Sequence, residues 1–184
     1  MSKLTINLTG QTVQEESQGG NFDPIPAGTY AVTIFDVEQS EFQSEANKGK
    51  PYLKVQLRIA EGEYANRRLF ENVPLFLEWG SGADAFKFYD FFGPVQGQTS
   101  KDFRASVKEA VEAGNTDLDL PTPEDLMGKE LEIKVKVVPD KYNWNIAKQT
   151  NPDAVLEDFN TNEVQTYLLP SQSSKASSPG KFKL

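Results

Sequence analysis

The chain contains no cysteine and no histidine. The first absence excludes a disulfide framework. The two together exclude zinc sites built on Cys or His, Cys–His nucleophiles and the Ser–His–Asp triad. An enzyme made from this sequence has only carboxylate, Lys, Tyr or Ser chemistry to work with. Methionine is scarce, with 2 residues against 12 Phe, 6 Tyr and 2 Trp. Aromatic rings therefore carry much of the apolar surface and offer flat faces for stacking. No run approaches the ~20 apolar residues that span a bilayer, and Met1-Ser-Lys-Leu-Thr-Ile opens without an apolar signal core. Cytoplasmic residence, with no membrane partner, is the expectation.

What is present suits one well-buried domain with tails: 184 residues, 38% hydrophobic. The formal charge of −8 argues against a polyanionic ligand until the signs are mapped. Six cations (Lys48, Lys50, Lys54, Arg58, Arg67, Arg68) face only Glu61 and Glu63 between Lys48 and Arg68, whereas Glu109 to Glu124 carries five carboxylates and no cation. An acidic protein can thus hold a local positive groove.

Period-two patterning predicts a strand over Thr29–Glu38, with Tyr30, Val32 and Ile34 on one face and Thr33, Phe35 and Val37 on the other. Tyr52–Ala60 is the clearest strand. Leu53, Val55, Leu57 and Ile59 point inward, and Tyr52, Lys54, Gln56 and Arg58 point outward. A turn through Gly62 leads to a third strand from Arg67 to about Val73. Alternation there puts Arg68, not Arg67, on the side of Phe70.

Helical spacing follows over Asp84–Phe92 and over Ser100–Ala113, where Phe103, Val107 and Val111 recur at i, i+4, i+8 and Gly114 supplies a stop. Thr122-Pro-Glu-Asp125 reads as a capped helix start. Leu131, Ile133, Val135 and Val137 alternate with Glu132, Lys134 and Lys136 in a fourth strand. Tyr142–Gln149, with Tyr142, Trp144 and Ile146 on one face, is expected to be the fifth. Leu4, Ile6 and Leu8 suggest a short amino-terminal strand before a flexible link to residue 23. Residues 170–184 read as a Ser/Lys/Pro-rich disordered tail. The predicted architecture for 24–169 is mainly β, a five-stranded OB-like Greek-key barrel with a helical insert at about 80–128 between strands 3 and 4.

The candidate binding surface combines Lys50, Tyr52, Lys54, Arg58, Arg68, Phe70, Lys134, Lys136, Tyr142 and Trp144. Single strands are held by cations that track phosphates and by rings on which bases stack. The ordinary alternative is the wet side of a half-buried sheet, or a face that docks another protein. The Phe-rich helix Phe86 to Phe92 offers a second such docking surface. Two further patterns are weaker. Gly80-Ser-Gly82-Ala-Asp-Ala85 has dinucleotide-loop composition but lacks the parallel strand and crossover that make such a loop work. Glu124, Asp125, Glu132 and Lys134 have the residue types of a metal-dependent nuclease, yet a helix cap and a solvent-facing strand account for them. No metal, cofactor or reaction is required.

Pro26-Ala-Gly-Thr-Tyr30-Ala-Val-Thr-Ile34, Tyr52-Leu-Lys-Val-Gln-Leu-Arg-Ile59, Glu61-Gly62, Arg67-Arg-Leu-Phe70 and Leu126-Met-Gly-Lys129 running into Leu131-Glu-Ile-Lys-Val-Lys136 resemble a bacteriophage family known as conserved phage proteins of unknown function. Its members are similar to phage single-stranded-DNA-binding proteins with OB folds, encoded beside replication and recombination genes. The likeness spans roughly residues 24–149. It implies sequence-tolerant coating of single-stranded DNA in the host cytoplasm, with replication or recombination proteins as further partners and homo-oligomerisation left open. One departure is Pro179-Gly-Lys-Phe-Lys-Leu184, basic where such proteins often carry an acidic recruiting tail.

Overall fold

The computed structural model describes residues 23–170. The amino-terminal strand, its link and the tail from residue 171 lie outside them. The described chain is mainly sheet. Strands β1 (Gly28–Glu41), β2 (Pro51–Ile59), β3 (Arg68–Pro74), β4 (Glu130–Pro139) and β5 (Asn160–Leu168) form one open antiparallel sheet in the order β3-β2-β1-β4-β5. The expected closed barrel is corrected to an open sheet, because β3 and β5 are edges with no ladder between them.

β1 is central, as apolar residues on both of its faces suggest. Its inward set does not simply alternate. The β1–β2 register slips between Ile34 and Asp36, so Val37 returns to the inner face opposite Val55 and Phe35 is left outward. The bulge forms where β1 leaves β4. Ile34 N–H donates to the Lys129 carbonyl at 2.9 Å, and Gly128 N–H donates to the Ile34 carbonyl at 2.8 Å. One extra residue thus moves Val37 to the inner side of the sheet and leaves the Phe35 ring outside.

Helices α1 (Phe86–Val95) and α2 (Ser100–Glu112) pack on each other, and α1 lies beside β3. Phe88, Phe91 and Phe92 of α1 are buried, each burial favouring the fold by about 1.5–3 kcal/mol. On α2 Phe103 and Val107 are buried but Val111 is 56% exposed, so the expected apolar stripe ends a turn early. The short α3 (Pro123–Leu126) starts with the predicted cap. Thr122 Oγ1 accepts from Asp125 N–H at 3.3 Å, and Asp125 Oδ2 accepts from Thr122 N–H at 3.1 Å.

The expected fifth strand over Tyr142–Gln149 is helix α4 (Lys141–Thr150), and the true fifth strand is Asn160–Leu168. Asp140 caps α4 by accepting from Asn143 N–H at 3.0 Å. Tyr142 and Ile146 then share a helical face at i, i+4, a spacing that also satisfies alternation.

The described residues fall into two compact units, 26–136 with 163–170, and 23–25 with 137–162. In the smaller one Trp144 Nε1–H donates to the Ala154 carbonyl at 2.9 Å, and Ile25 N–H donates to Asn162 Oδ1 at 2.9 Å.

Candidate nucleic-acid interface

The outer face of the β2–β3 ladder assembles from register alone. Arg58 stands opposite Arg68, Gln56 opposite Phe70, Lys54 opposite Asn72, and Tyr52 opposite Pro74. Strand rise makes this strip about 20 Å long. Its inner counterpart, Leu53, Val55, Leu57 and Ile59 with Leu69 and Val73, is buried, which fixes the register and keeps the polar set outside.

At one end two arginines meet across the ladder. Like charges placed directly opposite cost roughly 0.2–1 kcal/mol. Phe35 offsets part of this. Its ring centroid lies 4.6 Å from the Arg68 guanidinium carbon and 5.0 Å from that of Arg58. Among the described residues no carboxylate oxygen comes within 4.0 Å of either guanidinium. Phe70 beside them is 71% exposed. Two cations without counter-ions among the described residues and two accessible rings therefore share one patch. Lys54 extends it, with a 3.8 Å exposed contact to Glu38 that contributes little.

The other end is built of rings. Tyr52 stacks on Phe42 at 4.3 Å, and Phe42 meets Phe76 and Trp79 edge-on at 5.9 and 5.6 Å. Lys50 closes the cluster. Its Nζ sits 4.8 Å over Phe76 and donates to the Glu78 carbonyl at 2.9 Å. Trp79 is held by a tight turn in which Gly82 has φ +83°. Gly80 packs so closely that an added Cβ would lie 2.0 Å from the Ala46 carbonyl oxygen. The glycines of Gly80–Ala85 thus serve a turn and a close approach, not a phosphate loop.

Of the ten predicted residues, Tyr52, Lys54, Arg58, Arg68 and Phe70 share the strip, and Lys50 lies at its ring-bearing end. Lys134 and Lys136 do not join it. Lys134 is outward on β4, but Glu130 and Glu132 come first along that strand, Glu130 opposite Thr33 and so in line with Arg58. Lys136 pairs with Glu163 at 3.3 Å. Tyr142 and Trp144 belong to α4 in the smaller unit, and Lys148 Nζ covers the Trp144 ring at 4.5 Å. The predicted strand face that included them does not exist. The predicted surface omitted Phe35, Phe42, Phe76 and Trp79. The last three sit in loops, where period two says nothing.

The nuclease constellation is not assembled. Asp125 is engaged by its cap, and no group of three Asp or Glu placed to hold a metal occurs among the described residues. The most buried carboxylate, Glu71, lies on the inner side of β3 and bonds Lys87 at 2.7 Å. Burial raises its pKa, against the pull of Lys87 and of the Val164 backbone amide on β5. Tyr167, also on β5, is raised further by complete burial, with the charges of Glu71 and Asp90 adding to the effect.

Fold and site together define a mainly-β domain whose open antiparallel sheet presents a strip of arginines and aromatic rings. The chain belongs to the family described as "Protein of unknown function (DUF669)", whose model matches residues 11–179. No curated protein matches the chain.

Proposed function

We propose that this protein binds single-stranded DNA with little sequence preference and without catalysis, in phage DNA replication or recombination. The observation that carries the reading is the opposed pair Arg58 and Arg68 over Phe35, with Phe70 exposed beside it. Phosphates would relieve the repulsion between the arginines, and bases would stack on Phe70 for ~1–3 kcal/mol each. The finer fold belongs to the same proposal, an OB-like Greek key. Its support is that β1 pairs with both β2 and β4, helices intervene between β3 and β4, and the Val164 amide of β5 reaches the Glu71 carboxylate of β3, where barrel closure would occur.

A salt series on a labelled oligothymidine tests this. If Lys54, Arg58 and Arg68 each neutralise a phosphate, log K falls against log salt with a slope of about −2. Affinity then drops about fifteen-fold between 50 and 200 mM. A face used to dock a protein would leave oligothymidine unbound at every salt. Strands shortened in the presence of Mg²⁺ would revive the nuclease reading.

A further inference from the structure

A groove of about 500 Å³ opens along α2, beside the stripe of Val107 and Val111, and nothing in the DNA reading uses it. Its floor is apolar, made by Leu77, Tyr89, Val107 and Val111. Its rim carries three cations, Lys101, Arg104 and Lys108, which recur at i, i+3, i+7 and so line one side of the helix, against one acid, Glu112. Arg104 pairs with Asp84 and packs against the rings of Phe86 and Tyr89, which fixes that wall. Lys108 reaches Glu112 at 3.7 Å in an exposed contact of the weak kind. Lys101 has no carboxylate within 4.0 Å among the described residues.

The same chain carries a segment of complementary chemistry. After α2 the backbone runs through residues 115–122 without regular structure, and every residue from 111 to 119 is exposed. Within this stretch Asp117-Leu118-Asp119-Leu120 alternates acid with leucine, and Leu118 is 39% exposed. We infer that the Asp117–Leu120 segment of one copy docks in the α2 groove of a second copy. Leu118 covers the apolar floor, and Asp117 and Asp119 meet Lys101 and Lys108, whose long stems let the ammonium groups rise to the carboxylates. Groove and segment are different patches, so the contact is head-to-tail and propagates into a chain of subunits unless rotation closes it.

Sedimentation velocity of the full-length protein without DNA reads this contact independently of nucleic-acid binding. Wild type is expected to grow beyond a dimer as concentration rises, with association weakened about tenfold in high salt. Leu118→Asp, which spoils the segment, and Lys101→Glu/Lys108→Glu, which spoils the groove, should each remain monomeric with unchanged thermal unfolding, since all three side chains are exposed or on the rim. Mixing the two variants leaves one intact groove and one intact segment, so a two-chain species should form and stop there. A wild type that stays monomeric, a variant that associates like wild type, or a mixture that fails to pair would each overturn the proposal.

Discussion

Arg58 and Arg68 stand directly across the β2–β3 ladder from one another, and the ring of Phe35 lies against both guanidinium groups. Two like charges in register repel, and the Phe35 ring offsets only part of that cost. An anion bound there, as proposed, would relieve the remaining repulsion.

Stability and binding should therefore separate at this pair. Arg68→Gln is expected to leave unfolding free energy unchanged or raise it by up to about 1 kcal/mol, while affinity for oligothymidine falls about tenfold. Urea unfolding and anisotropy titration of the same sample give both numbers. Loss of stability together with binding would make Arg68 a structural residue.

The rings should act without charge. Phe70→Ala is expected to weaken binding by about 1–3 kcal/mol and to leave the salt slope unaltered. Phe70 is 71% exposed, so its removal should cost the fold little. Measuring affinity at three salt concentrations checks both parts. A changed slope would mean that the substitution had displaced the arginines.

Interior carboxylates give the fold a pH signature. Burial raises Glu71 above its usual 4.5 despite Lys87, raises Asp90 against its bond to Ser100, and raises Glu132 with help from Glu61. The folded state then holds these protons more tightly than the unfolded chain. Their contribution is fully present below the unfolded values and is lost as pH rises through the raised ones. Asp125 and Asp140 have the opposite sign. The Thr122 hydroxyl and the Asn143 amide respectively lower them, so their caps contribute above 3.8 and fade as pH falls through the depressed values. The thermal midpoint should rise from pH 7 toward about 5 and fall in stronger acid. Glu71→Gln should flatten the rise. An equally steep rise in that variant would remove Glu71 as its main source.

Gly80→Ala tests the ring cluster. A Cβ at this position meets backbone rather than a flexible side chain, so the loops holding Asn47 and Trp79 must part. In a Trp144→Phe background the remaining indole reports on that cluster, and a red-shifted emission with lower stability is expected. Unchanged emission would mean that the loops give way without disturbing Trp79.

Much of the sheet was legible because burial on one face writes a period of two. Leu53 to Ile59 follow it without interruption, and Leu69 and Val73 keep it on β3 despite the inward Glu71, so the outward placement of Lys54, Arg58, Arg68 and Phe70 could be read from alternation. Two things could not. The bulge at Phe35 depends on bonds from Ile34 to Gly128 and Lys129, nearly a hundred residues away, and no local pattern encodes them. The helix at Lys141–Thr150 has a strand-like pattern because Tyr142, Trp144 and Ile146, each two apart, fit a strand face, while Tyr142 and Ile146, four apart, fit a helix turn as well. The cap at Asp140 was the signal that separates the two. Lys134 and Lys136 alternate correctly, but strand order puts Glu130 and Glu132 before them, and partner choice gives Lys136 to Glu163.

The most direct measurement is an oligothymidine titration of wild type, Arg58→Gln/Arg68→Gln and Lys136→Gln at two salt concentrations. If the opposed arginines hold phosphates, the double variant binds at least about tenfold more weakly with a salt slope shallower by about 1.4. Lys136→Gln should stay within about twofold of wild type, as expected for an exposed ion pair off the strip. A double variant that binds with wild-type affinity and slope would contradict the assignment of this strip to DNA.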